Sequence, residues 1–169
     1  MEREQLREAQ APLKERYREE PAAAVVTLVA SGELGEGVSC SVRTGQAIAE
    51  AGLHPASGGD GSQLCSGDML LEALVACAGV TLRAVATSLG IEVRSGTVRA
   101  EGELDFRGTL AVDREAPVGF TAIRIAFELD SDADEEELGT LMKLTERYCV
   151  VFQTLSQPPQ LSATLGTAS

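Results

Sequence analysis

Tryptophan is absent from the 169 residues, tyrosine occurs twice and phenylalanine four times, so few rings are on hand to stack on nucleobases. Basic residues are also in the minority, 14 against 26 acidic, for a net charge of −12. A surface of that sign repels phosphate backbones, and nucleic acid is not an expected partner. Histidine occurs once, as His54, and the four cysteines at positions 40, 65, 77 and 149 contain no CxxC pair. A zinc site would have to be assembled from scattered thiolates, so neither a metal nor a cofactor is expected. No uninterrupted apolar run reaches the ~18 residues of a membrane span, and no basic stub leads into an apolar stretch at the N-terminus. Neither a span nor a signal peptide is expected, and the chain reads as cytoplasmic. Any disulfide in such a reducing compartment would be transient and catalytic rather than structural.

What is present suits one domain. Hydrophobic residues make up 44% of the chain, enough for a real core at this length. Residues 1–21 read as an N-terminal helical arm, with Leu6, Ala9, Leu13 and Tyr17 in a narrow apolar stripe and Pro12 either kinking the arm or starting a new helix. A solvated, frayed end and docking on a partner subunit both suit that pattern. Residues 22–169 form the main domain. Between Ala22 and Glu50 short β-branched stretches, clearest at Val25–Ala30 and Val38–Arg43, are broken by glycines, as in two or three antiparallel strands. Gly52–Gly67 is a glycine- and serine-rich loop of a length that often carries function.

A strong helix follows, with Ser66 as its cap, Asp68 in its first turn and Gly90 as its stop. Leu70, Leu74, Cys77, Thr81 and Ala84 lie near one face and Leu71, Val75, Ala78, Leu82 and Val85 near an adjoining one, which predicts a buried central helix. Thr97–Phe106 and the run through Ile123, Ile125, Phe127 and Leu129 alternate as two half-buried strands, joined by a linker too short for a crossover helix. Asp132 and Glu135 resemble a capping box, after which Leu138, Leu141, Met142, Thr145 and Cys149 share one helical face. Leu161, Ala163 and Leu165 suggest a closing strand after Pro158 and Pro159. The order is that of an α+β fold with antiparallel pairing, and no GxGxxG or P-loop interrupts it.

Cys77 sits among small neighbours, Ala76, Ala78 and Gly79, which leave space around its sulfur. A buried cysteine is more often an inert small hydrophobe than a nucleophile, and residue patterns alone do not show whether Cys77 and Cys149 meet. Cys40 reads as a strand residue. Cys65, just before the helix, is a second candidate thiol because helix N-termini lower thiol pKa values. His54 reads as a solvated loop residue rather than a proton shuttle.

The stretch Ser66–Cys77, a Leu/Ala-rich run ending in Ala-Cys, resembles the central helix of OsmC/Ohr proteins. Asp105–Leu110, Pro117–Phe120 and Leu144–Val151 are similar to the OsmC-like branch of that superfamily, and together the resemblance runs from about Val38 to Leu165. It implies an OsmC-like two-layer α+β subunit, its antiparallel sheets wrapped around central helices in an intertwined homodimer. It also implies a thiol-dependent peroxidase, active against organic hydroperoxides in oxidative stress, in which Cys77 becomes a sulfenic acid that Cys149 resolves. A dithiol, for instance of the lipoyl type, would be the reductant. Members of the family place a Glu nine or ten residues before the reactive cysteine, where this chain has Asp68 and Gly67, and pair it with an Arg. Asp68 is therefore the acid expected at the site and Arg43 the first candidate for the partner arginine, with Arg83 and Arg147 behind it. Glu72 is nearer but turned roughly 140° from Cys77 on a helical wheel. The alternative implied by this departure is a redox-responsive or binding module of the same fold without efficient turnover.

Overall fold

The computed structural model describes residues 3–20, 32–34, 39–44 and 47–166. Its first element, α1 (Arg3–Glu19), is a single helix with Pro12 inside it, lying against the following helix near Gly90. Strands β1 (Gly32–Leu34), β2 (Ser39–Thr44) and β3 (Ala47–Gly52) pair antiparallel in sequence order, with Cys40 opposite Ala51 and Arg43 opposite Ile48. The strand expected at Val25–Ala30 lies outside the described residues. The glycine-rich segment is less irregular than its composition suggests. It holds a 3-10 turn at Pro55–Ser57 and a two-residue strand, β4 (Leu64–Cys65), that pairs parallel with β3 and leads straight into a helix.

That helix, α2 (Ser66–Leu89), is the centre of the molecule. The residue at its N-cap position is Cys65, not Ser66, and no side chain caps it, because the chain enters directly from β4. Gly90 ends it in the left-handed conformation expected of a C-terminal stop, with φ of 79°. Leu74, Ala78, Leu82 and Ala86, four residues apart, form its buried stripe. The expectation of burial over most of its circumference is met only along this stripe, since Val80 is 72% exposed. By length and composition α2 could cross a membrane, which a search for uninterrupted apolar runs did not anticipate. It is packed as a core helix, against β5 (Ser95–Leu104), α4 (Glu135–Tyr148) and α5 (Val150–Ser156).

β5 pairs antiparallel with β6 (Phe120–Asp130), Val98 opposite Phe127 and Ala100 opposite Ile125, in a two-stranded ribbon whose inward face carries the apolar half of the alternation. A one-turn helix, α3 (Phe106–Thr109), occupies part of the connection. The capping box of α4 is Asp134 with Glu137, two residues beyond the expected pair. The Asp134 carboxylate accepts from the Glu137 amide at 2.9 Å and Glu137 accepts from the Asp134 amide at 3.0 Å. The same Asp-x-x-Glu spacing occurs at both offsets, and Arg94 decides between them by holding the Asp132 carboxylate. Residues 157–166 form no strand, and Leu161 and Leu165 are 91% and 97% exposed. Pro158 and Pro159 lack amide donors, so the segment opens on two positions that cannot donate to a ladder.

Candidate active site

Cys77 is half-buried beside the buried stripe of α2. Cys149 is not part of a helical face, as its spacing suggested, but the joint between two helices. Its backbone is extended (φ −72°, ψ 108°), its amide donates to Thr145 O at 2.9 Å to close α4, and its carbonyl accepts from the Gln153 amide at 2.9 Å to open α5. One turn before the joint the buried Thr145 hydroxyl donates to the Leu141 carbonyl at 2.8 Å, the kind of back-bond that bends a helix. The change of direction buries the Cys149 side chain to 1% exposure in a cluster with Leu74, Ala78 and Cys77. It also turns the first amides of α5 toward Cys77. Both cysteines are free thiols.

The surroundings separate the two thiols. Burial pushes Cys77 up, but the Val151 amide, the Cys149 thiol, the Val150 amide and the Thr81 hydroxyl all donate toward its sulfur, and together they bring it below the ordinary thiol range. For Cys149 burial again acts upward. Amides of Phe152 and Val151 oppose it only in part, and the hydrogen bond and negative charge of Cys77 drive it further up. The two shifts run in opposite directions, so Cys77 is the thiol of the pair that gives up its proton first and Cys149 the one that keeps it. Since only a thiolate is alkylated, Cys77 should react with iodoacetamide at a lower pH midpoint than Cys149. Peptide mapping of the alkylated chain across pH checks this, and equal midpoints would contradict the asymmetry.

The other predicted residues lie elsewhere. Asp68 is exposed in the first turn of α2, in a shallow surface depression with Leu71, Glu72 and Val75. Nine helical residues put it half a turn round and ~13 Å along the axis from Cys77, so within this chain it is not the acid at the thiol. Glu72 shares that surface. Arg43 is placed only by its backbone in β2, and its side chain lies outside the described residues, as does that of Cys40. Arg83 donates to the Val93 carbonyl behind α2, and Arg147 lies 5.8 Å from the Tyr148 ring. Cys65 is half-buried at the start of α2. His54 is not simply solvated: its Nδ1 accepts from the Ala56 amide at 3.0 Å and its ring stacks on Phe106 at 5.0 Å. The groups that lower Cys77 are uncharged, and of them only Cys149 was singled out from the sequence. Two are main-chain amides, which no residue type announces. Thr81 had been read only as a member of a helix face.

An open groove of about 770 Å³ is lined by Leu70, Leu74, Phe120, Ile123, Phe152 and Leu155 together with Arg124 and Glu146; neither cysteine lines it, but Leu74, Ile123, Phe152 and Leu155 also pack in the cluster that holds both thiols. Leu70 and Leu74 come from the face of α2 on which the sequence placed Cys77, whereas Val80 on the same helix is exposed.

Residues 59–164, more than half of the chain, match the family model described as OsmC-like protein. No curated protein matches the sequence. Among solved structures, an OsmC-like protein from Mycoplasma pneumoniae superposes with a TM-score of 0.67 at 17% identity, over 79% of this chain and 89% of that one. An organic hydroperoxide resistance protein from Elizabethkingia anophelis gives 0.64 at 15% identity, over 80% and 91%. An organic hydroperoxide resistance protein OsmC from Legionella pneumophila gives 0.62 at 16% identity, over 79% and 92%. At these identities the likeness is one of fold.

Proposed function

The chain belongs to the OsmC-like protein family, and on that premise we propose that it is a thiol peroxidase acting on organic hydroperoxides. The observation that carries the reading is the thiol pair itself, Cys77 packed in one cluster with the buried Cys149 at the joint between α4 and α5, with Cys77 shifted down and Cys149 up. The Cys77 thiolate attacks one peroxide oxygen; an S–O bond forms, the O–O bond breaks, and the alkoxide leaves and takes a proton to become the alcohol. Sulfur is oxidised by two electrons to sulfenic acid. The Cys149 thiol then displaces water from that sulfur to form a disulfide. A dithiol reductant returns both cysteines to thiols, being oxidised to its own disulfide, which suits a reducing cytoplasm.

The apolar groove beside the pair supports alkyl hydroperoxides as substrates, since an apolar tail gains by leaving water there and hydrogen peroxide has no tail to bury. Cumene hydroperoxide should be consumed roughly tenfold or more faster than hydrogen peroxide, because its ring and methyl groups recover a few kcal/mol of transfer free energy. The opposite order in a coupled dithiol assay would overturn the substrate class.

A homodimer belongs to the same proposal. A two-stranded ribbon such as β5–β6 is marginal alone, Val80 on the central helix is exposed, and the leucines after Pro159 are nearly bare. Strands of a second copy laid against the ribbon and α2 would cover these surfaces. Sedimentation at micromolar concentration should give one species of twice the chain mass, and a monodisperse monomer would remove this part of the reading.

A further inference from the structure

The apolar groove has two ends. At one, Leu74, Ile123, Phe152 and Leu155 belong both to its lining and to the cluster that holds the thiols. At the other, beyond that cluster, stand Leu70 and the ring of Phe120. Phe120 opens β6 opposite Leu104, at the register shift that interrupts the ladder between Glu103 and Leu104. Its ring lies over the backbone of Gly102 on β5. A Cβ at that glycine would stand 2.5 Å from Phe120 Cε1 and 2.6 Å from Cδ1, well inside the ~3.5–4.0 Å at which carbon atoms rest. Gly102 does not have a positive φ, so what its missing side chain provides is room for the ring. The tip of the ring meets the first turn of α2, where a Cβ on Gly67 would stand 3.5 Å from Phe120 Cζ and 3.5 Å from Leu104 Cδ1, an ordinary contact. Gly67 precedes Cys77 by ten residues of one unbroken helix, on the order of 15 Å along its axis. The ring is therefore seated against the strand, against the helix start and beside Leu104, and the groove is its open side.

We propose that Phe120 sets how long a tail the groove accepts, and that Gly102 sets where its ring stands. The inference rests on the groove being the seat of a hydroperoxide's alkyl tail, and deepens that reading by naming the wall that limits it. A tail that enters at the thiol end gains with each methylene it buries until it reaches the ring. Any side chain at position 102 lifts the ring from its seat. With strand, helix start and Leu104 on its other sides, the ring turns into the groove and shortens it. Gly67→Ala adds the same methyl group at ordinary contact distance and leaves the ring in place.

The test is kcat/KM of the full-length chain for a series of straight-chain primary alkyl hydroperoxides, butyl to dodecyl, with a dithiol reductant in excess. In wild type it should climb by up to about fourfold per methylene buried and level off at a limiting length. In Gly102→Ala the climb should end at a shorter chain, with a loss of about fourfold or more at the wild-type limit. In Phe120→Ala it should end at a longer chain, and adding Gly102→Ala to that variant should change nothing further, since the new methyl group then has no ring to move. Gly67→Ala should match wild type. A damaged fold would lower every chain length by the same factor and leave the limit where it was. A limit unmoved in Gly102→Ala and Phe120→Ala overturns the proposal, and so does a shortening by Gly102→Ala that is as large without the ring as with it. If Gly102→Ala does not fold, Phe120→Ala against Gly67→Ala decides, and an equal limit in those two overturns the proposal. A second measurement needs no peroxide: the rate at which iodoacetamides carrying N-alkyl tails of the same lengths label Cys77, read on its peptide by mass spectrometry. If wild type consumes no hydroperoxide yet the labelling limit moves in these variants, the peroxidase reading fails and the role of Phe120 stands. If hydroperoxides are consumed with one limit in every variant, the peroxidase reading stands and the role of Phe120 fails.

Discussion

Cys77→Ser should abolish hydroperoxide consumption, with a loss of at least about a thousandfold, because a serine hydroxyl in this setting stays protonated where the thiol does not. The donors around position 77, the amides of Val150 and Val151 and the hydroxyl of Thr81, stabilise a negative charge that only sulfur can carry near neutral pH. Cys149 cannot take over. It is buried to 1% exposure, and burial, the largest influence on its thiol, still holds it up when Cys77 is gone. Serine is close in volume to cysteine, so the core about Leu74 and Ala78 should keep its packing and the melting temperature should stay close to wild type. The measurement is initial rate with cumene hydroperoxide and a dithiol reductant in excess. A variant that retains more than a tenth of the wild-type rate would place the working thiol elsewhere, and half-buried Cys65 at the start of α2 is then the first alternative.

Much of the frame was legible because it is written in periodicity. The stripe Leu74, Ala78, Leu82, Ala86 and the alternation through Ile123, Ile125, Phe127 and Leu129 each follow from a repeat that one element type alone can bury. Gly90 was legible as a stop because its left-handed backbone disfavours other residues. The features that were misread depend on partners far away in sequence. Arg94, 38 residues before Asp132, takes that aspartate out of the capping position and leaves Asp134 to do the work. Leu161 and Leu165 alternate as a strand should, yet a strand needs an edge, and that edge is not written in the segment itself. At the site the two sulfurs could be named from a family likeness, but their inequality could not. It arises where a helix ends at Cys149 and a new one begins at Val150, so that amides rather than an ion pair lower Cys77. Asp68 illustrates the converse. Its place in the sequence fits an acid of the site, while its place on the helix, exposed and half a turn away, does not.

Cys149→Ser should leave the first oxidation intact and stop everything after it. A serine hydroxyl at the joint still donates to the Cys77 sulfur, and the amides of Val150 and Val151 are main-chain groups that the substitution does not remove, so Cys77 remains acidic and attacks peroxide. The sulfenic acid then has no thiol against it. In wild type Cys149 lies within the same cluster, placed on the proposed reading to displace water from the oxidised sulfur before a second peroxide arrives. In the variant the sulfenic acid persists, and excess peroxide carries it on to the sulfinic acid, which a dithiol does not reverse. Turnover in the coupled assay should fall at least about a hundredfold while one equivalent of peroxide is still consumed in a burst, since only the step after the first attack is lost. Mass spectrometry after that one equivalent should place a single added oxygen on the Cys77 peptide, and oxidised wild type should carry the Cys77–Cys149 disulfide within one chain. Oxygen on the Cys65 peptide, or a wild-type disulfide that includes Cys65, would reassign the site to the start of α2 and leave the contact between Cys77 and Cys149 as packing. Unchanged steady-state turnover in Cys149→Ser would mean instead that the external dithiol reaches the Cys77 sulfenic acid directly, with Cys149 kept only as a hydrogen-bond donor to the thiolate.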